Sequence, residues 1–309
     1  MLKWGRRILL FVLVNVLVMV TISIVLNVFG IRPYLTQRGI DYNSLLAFCL
    51  IWGFGGALVS LALSKVMAKW MMGVQVIDPD QPGSSEERWL VDTVHRLAHN
   101  AGLGTMPEVG IYNSPEPNAF ATGPTRNNAL VAVSTGLFQS MERDEIEGVL
   151  GHEMTHVTNG DMVTMTLLQG VINAFVMFLA RVIAFFLTQR GGDDRRGFSG
   201  SQYLVTFVLE IFLSILGSMV VMAFSRWREF RADAGGAKLA GRTKMISALQ
   251  ALQRVYEKPR LQAGNEPAAI SAFKISSRDG LISLFASHPP LEKRIERLKS
   301  AQLSSVIVE

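Results

Sequence analysis

His152-Glu153-Met154-Thr155-His156 sets two imidazoles four residues apart, with a carboxylate beside the first. On a helix, residues four apart share one face and lie about 6 Å apart along the axis, so both rings reach one ion. Imidazole is a good zinc ligand, and two of them leave positions for a third protein ligand and a water. Glu153 points along the same edge, where it can take a proton from that water. The residues before it, Glu142 to Leu150, have helical spacing with acidic side chains in the first turns, which suits a helix N-terminus. Five residues can match such a pattern by coincidence, so a third ligand is the stronger requirement.

Trp227 to Asp233 meets it with two carboxylates four apart, Glu229 and Asp233. Two histidines, one glutamate and an open position make a recognised catalytic zinc set, so one Zn2+ per chain is expected on His152, His156 and Glu229. Asp233 then accepts the other ring N–H of a ligand histidine, His152 in preference to His156, and fixes its tautomer. Taken alone the segment reads as a solvated helix in which Glu229 and Asp233 pair with Arg228 and Arg231. Beside the paired histidines that reading loses. His95 and His99 are also four apart, but Arg96 follows the first and Leu90, Val94 and Leu97 repeat at helical spacing, so they read as surface or packing histidines.

The elements that must position this chemistry are apolar. Among 309 residues 49% are hydrophobic and 18% charged, with mean hydropathy +0.29. A soluble domain carries about a quarter charged residues, so part of the chain faces lipid. The basic residues cluster beside apolar runs and not along one polar face, which points to a membrane surface and away from nucleic acid. The one cysteine, Cys49, lies in an apolar run, so neither a disulfide framework nor a cysteine metal site is expected. Ile8 to Phe29 and Leu45 to Ser64 are uncharged and long enough to span a hydrocarbon core of about 30 Å. The first is too long for a signal core and no small-residue cleavage site follows it. Gly53, Gly55 and Gly56 suit close packing in lipid. Met162 to Gln189 is apolar except for Arg181, and Tyr203 to Ser225 except for Glu210, with a polar, Gly-rich loop over 190–202. These two runs read as a second helical hairpin, or otherwise as buried helices of a soluble domain.

Flanking charge sets the orientation. Lys3, Arg6, Arg7, Lys65, Lys69, Arg226, Arg228 and Arg231 put both termini on the cytoplasmic side, while the short loop between the first spans carries Arg32 and Arg38 against Asp41. Four parts follow: a transmembrane hairpin over 1–64, a protease part with a small sheet over 65–161, a second hairpin over 162–225 and a second protease part over 226–309. Strands are expected at Val109–Tyr112 and Ala129–Val133. An antiparallel hairpin returns the chain to the side it left, which brings Glu229 back to the histidines. Glu142, Arg143, Asp144, Glu145 and Glu147 crowd the histidine helix, so the zinc belongs at the membrane surface and not within it. Arg181 and Glu210 fall at one depth in the hairpin, about 11–12 Å from its loop end. A charge at that depth needs a partner, so the two are expected to pair and to fix the register at which Glu229 re-enters the site.

The His152–His156 stretch with Asn159-Gly160-Asp161 behind it, the Arg228-Glu229-Phe230-Arg231-Ala232-Asp233 segment and Asn118-Ala119-Phe120-Ala121-Thr122-Gly123 upstream closely resemble the bacterial HtpX family. These are membrane-bound quality-control proteases related to the prenyl-protein (CAAX) metallopeptidases. The resemblance runs from the paired N-terminal spans to Ser287-His288-Pro289-Pro290, with no departure at a catalytic position. It implies a mainly α, multi-pass membrane protein with four transmembrane helices and a cytoplasmic α+β zincin-like (gluzincin) metallopeptidase domain. It also implies ATP-independent cleavage of misfolded or damaged membrane proteins in the inner membrane under stress, beside other quality-control proteases, and self-cleavage when zinc is added.

In the resembling family the Asn118, Ala119, Phe120 segment holds substrate backbone at a sheet edge; the alternative is a turn with Asn118 capping locally. The resemblance also places His288 and Arg294 near the zinc, as oxyanion binders or a temporary fourth ligand, whereas the residues alone show an amphipathic basic helix from Pro290 to Lys299. Residues 257–280, with Pro259, Gly264, Pro267 and Gly280, read as a mobile loop that could cover the cleft. In the expected mechanism Glu153 takes the proton of the zinc-bound water and delivers it to the leaving amine. A catalytically silent, zinc-stapled scaffold is the rival from another class, and it has no need of Glu153. A processing protease for prenylated C-termini is the nearer rival, and it usually has more spans.

Overall fold

Uncharged runs of bilayer length fold as helices, and the mixed segments between them fold as a sheet backed by helices. The computed structural model describes residues 16, 20–28, 30, 35–36, 39–189, 200–262 and 286–306. In chain order come β1 (Leu35–Thr36), β2 (Gly39–Ile40), α1 (Tyr42–Met72), β3 (Gln75–Val76) and α2 (Ser85–Asn100). Next are β4 (Glu108–Tyr112), β5 (Ala119–Thr125), β6 (Asn128–Ser134), α3 (Thr135–Ser140) and α4 (Arg143–Asn159). The last are α5 (Asp161–Gln189), α6 (Gly200–Leu239), α7 (Arg242–Gln262) and α8 (Leu291–Val306). Contacts divide the chain into one unit of residues 1–61 and 164–221 and another of 62–163 and 222–309.

Among the described residues three helices are long and apolar enough to cross a membrane: Tyr42–Met72, Asp161–Thr188 and Gln202–Leu239. The expected first span, Ile8 to Phe29, lies mostly outside the described residues, and 20–28 of it are helical. Within the first unit the helices meet through small residues. A Cβ added to Gly53 on α1 would stand 2.6 Å from Ala174 N on α5, so only glycine permits that approach. Arg181 Nη1 donates to Glu210 Oε1 at 2.5 Å and to Met177 O at 3.0 Å, with its guanidinium 5.5 Å from the Phe48 ring. Leu204, Phe207, Val208 and Phe212 on α6 stand exposed, as a lipid-facing surface requires.

The second unit is built on a four-stranded sheet of order β3-β4-β6-β5, with β4 and β6 parallel and the other pairs antiparallel. Val109, Val131 and Val133 from one face of it pack with Leu90, Val94 and Leu97 of α2 and with Ile146, Leu150 and Met154 of α4 in one buried cluster. Ser84 Oγ caps α2 by accepting from Glu87 N at 3.1 Å. Lys65 and Lys69, at the end of α1, grip Glu108 of β4 at 3.1 and 2.6 Å. His95 lies 3.3 Å from Pro107 O and His99 is exposed.

The fourth apolar run and the carboxylate segment after it, both expected to be helical, form one helix, α6, because no proline or glycine lies between Ser218 and Ala234 to break it. Two expectations need correction. Helix α6 already starts at Gly200, inside the expected loop, whose residues 190–199 lie outside the described ones. Residues 257–262 are helical and end α7; 263–280 of the expected mobile loop lie outside the described residues.

Candidate metal centre

Helix α4 is framed at both ends. Glu142 caps it in a reciprocal box with Glu145, and Gly160 ends it at φ 66°, a left-handed conformation that a side chain would strain. Along the helix, 3.6-residue periodicity turns Ile146, Leu150, Met154 and Val157 to the core and His152, Glu153 and His156 to a cavity of about 1200 Å³. The C-terminal part of α6 lies against this helix through glycines. A Cβ on Gly235 would meet Thr155 Cγ2 at 2.2 Å, and one on Gly236 would meet His152 N at 2.9 Å. That closeness is what lets Glu229 and Asp233 reach the imidazoles.

The Nε2 atoms of His152 and His156 stand 3.1 Å apart, and each is 3.3 Å from an oxygen of Glu229. His152 Nδ1–H donates to Asp233 Oδ1 at 3.0 Å, and His156 Nδ1–H to Asp161 Oδ2 at 2.6 Å. Carboxylates only accept, so both Nδ1 atoms carry hydrogen and both Nε2 lone pairs of the neutral rings face one point. Corners of a tetrahedron with metal–ligand bonds of about 2.0–2.1 Å are about 3.3 Å apart, which is the spacing of these three donors. Carboxylates gather here as well: Glu153, Asp161, Glu229 and Asp233 outnumber the guanidinium groups that pair among them, Arg228 and Arg294, which favours a cation. These residues could hold a metal such as zinc.

Protons can do the same balancing. Burial pulls both imidazoles down, but carboxylate partners outweigh it: Asp161 and Glu229 lift His156 to about 9, and Asp233 and Glu229 lift His152. An imidazole raised on folding stabilises the fold fully below its ordinary value near 6.5 and loses that contribution as pH climbs through about 9. Chelator-treated protein is therefore expected to melt at a lower temperature at about pH 9.5 than at about pH 6.5, with His156→Gln shrinking the difference. A melting temperature flat across that window, measured by scanning calorimetry, would remove the charged imidazole from the account.

The other residues singled out in the sequence fall as follows. Glu153 Oε2 accepts from the Ala121 N–H at 3.1 Å. Asn118, Ala119 and Phe120 line the same cavity, and Ala119 opens β5, an outer strand of the sheet. His288, largely exposed, donates from Nδ1 to Glu229 Oε2 at 2.7 Å. Arg294, on α8, is buried and donates from Nε and Nη2 to the two Asp233 oxygens at 2.8 and 2.6 Å, with Nη1 3.6 Å from Glu229. Having no lone pair, it cannot ligate a metal. Arg181 and Glu210 belong to the first unit. Sequence reasoning missed Asp161 as the partner of His156 and as a contact of Arg228 (3.8 Å), and it set aside the Arg228–Glu229 pairing (3.4 Å) that the structure contains. The one signal for Asp161 was an acidic residue directly after the Asn159-Gly160 helix end.

Two imidazoles and a carboxylate around one point, with Glu153 beside the outer strand β5, define the centre of a metal-dependent peptidase. Comparison with known proteins agrees. The model of peptidase family M48 matches residues 84–302, and the chain belongs to that family. It is a membrane metalloprotease. Among its relatives, the protein named Protease HtpX of Thioalkalivibrio sulfidiphilus (strain HL-EbGR7) is 52% identical over 301 residues, covering 96% of this chain and 99% of its own. The Protease HtpX homolog of Nitrosomonas europaea is 50% identical over 299 residues, covering 96% and 99%. Among solved structures, the crystal structure of S. mikatae Ste24p matches with a TM-score of 0.64 at 18% identity over 96% of this chain. The chain spans 66% of that protein's length, and the likeness is one of fold.

Proposed function

We propose that this chain is a zinc endopeptidase of the bacterial inner membrane that hydrolyses peptide bonds of misfolded or damaged membrane proteins. The observation that carries it is the donor triangle of His152, His156 and Glu229, set beside Glu153. His152, His156 and Glu229 would hold zinc, which would supply a Lewis acid for the scissile carbonyl and a more acidic water. Glu153 keeps Oε2 on the Ala121 N–H, takes the water's proton on Oε1 and passes it to the leaving amine nitrogen. Asp233 and Asp161 hold the tautomers of His152 and His156, and Arg294 holds Asp233. Asn118, Ala119 and Phe120 offer backbone groups to an extended substrate. His288 donates to Glu229, the carboxylate that would help hold the metal.

Four spans in two hairpins, with both termini and the site cytoplasmic, fit the flanking charge. Other membrane quality-control proteases are expected partners, and self-cleavage is expected when zinc is supplied. The protein purified in detergent with chelator should be inert toward casein and gain activity on added zinc. Activity that ignores the chelator would reject the proposal.

Two further outcomes follow. Asp233→Asn is expected to cost about 10- to 100-fold in metal affinity or activity, because the amide gives His152 a weaker acceptor and Arg294 no counter-charge. Zinc titration and casein assays read this; a wild-type affinity would clear Asp233. The Arg181–Glu210 pair is assigned a structural role, so Arg181→Leu and Glu210→Leu should each lower the detergent melting temperature more than the double variant does. Equal melting temperatures for singles and double would mean that each charge is solvated on its own.

A further inference from the structure

Glu153 is placed by a backbone group of the strand that faces it. β5 spends one edge on β6: Asn118 O accepts from Ser134 N at 2.9 Å, and Phe120 and Thr122 stand opposite Ala132 and Leu130. Backbone groups alternate along an antiparallel strand, so the N–H and C=O of Ala119 and Ala121 point to the other edge. Among the described residues no strand lies beside that edge, because β5 is the last in its sheet. Yet the Ala121 N–H is in use, donating to Glu153 Oε2 at 3.1 Å across 32 residues of sequence. Among the described residues it is the sole hydrogen bond of the Glu153 side chain.

A glutamate has three rotatable bonds and loses rotamer freedom when it is fixed. An N–H bonded to a carboxylate is charge-assisted, stronger than a neutral pair, and it engages one oxygen only. We propose that the Ala121 N–H positions Glu153, holding Oε2 so that Oε1 faces the water it must deprotonate. Ala121 is thereby a positioning residue for hydrolysis. This rests on Glu153 being the general base of the proposed function. A base displaced by about 1 Å loses on the order of a hundredfold in rate, so a single N–H can carry a measurable share of kcat.

The test deletes that N–H alone. Nonsense suppression in the full-length, zinc-loaded protein replaces Ala121 by lactate, turning the amide into an ester and keeping the methyl group and fold. The Ala121 ester is expected to lose about 10- to 100-fold in kcat with KM within about twofold. An unchanged kcat, or a raised KM with kcat retained, would overturn the inference, the latter by making Ala121 a substrate contact. Glu153→Gln separates this from the reading beneath it: if that variant still turns over, the base is elsewhere whatever Ala121 does. A second readout needs no activity. Deuterium uptake of a peptide covering 119–123 should quicken by one amide in Glu153→Ala, and identical uptake would likewise overturn the inference.

Discussion

Glu153→Ala is expected to fold, keep its metal and lose about 10³- to 10⁴-fold in peptide hydrolysis. The fold should survive because the Glu153 side chain is half-buried on the cavity wall and makes its hydrogen bond to an edge-strand N–H that water can take over. Metal should survive because Glu153 is outside the donor triangle, whose atoms are His152 Nε2, His156 Nε2 and the Glu229 oxygens. What goes is the acceptor of the water's proton and the donor to the leaving nitrogen. Asp161 and Asp233 are committed to histidine Nδ1 atoms on the far sides of the rings. Elemental analysis, a melting curve and casein digestion separate the three effects. Comparable hydrolysis by a metal-loaded variant would mean that the proton moves through another group.

The parts of this site legible in the sequence are those set by local periodicity. His152, Glu153 and His156 sit within five residues of one helix, so helical geometry alone puts them on one edge. Glu229 and Asp233 repeat that four-residue spacing, and the strands at β4 and β6 follow from runs of β-branched residues. What could not be read depends on contacts between distant segments. Arg294 finds Asp233 across 61 residues because α8 buries Ile295 and Leu298 against Met245 and Leu249 of α7, and amphipathicity names the helix but not its partner. Asp161 looked like the first residue of an apolar run, and its tie to His156 depends on the turn that Gly160 makes. The continuity of α6 was hidden by a change of composition at Ser225, where an apolar sequence becomes a charged one without any residue that breaks a helix.

Glu229→Ala should have the widest consequences of any single change in the site, because this one carboxylate serves both metal and fold. Its side chain is fully buried, and around it stand His152, His156, His288, Arg228 and Arg294, within 3.6 Å of one or the other oxygen. Removing it takes the metal set from three protein ligands to two, below what holds a catalytic zinc. It also takes one counter-charge from Arg228 and Arg294, which keep only Asp161 and Asp233, and removes the acceptor shared by both imidazoles, so the buried network is destabilised. The variant is therefore expected to purify without metal, to be inactive, and to melt below the chelator-treated parent. Glu229→Gln divides the two effects. The amide keeps the volume and one acceptor oxygen, so it should fold better than alanine, but it is a neutral and weaker ligand that should still bind zinc poorly. Zinc stoichiometry, a melting curve and casein digestion on both variants decide the matter. An alanine variant that retained one zinc per chain would move the third ligand to another residue, and His288, 2.7 Å from Glu229 Oε2, would be the first to test.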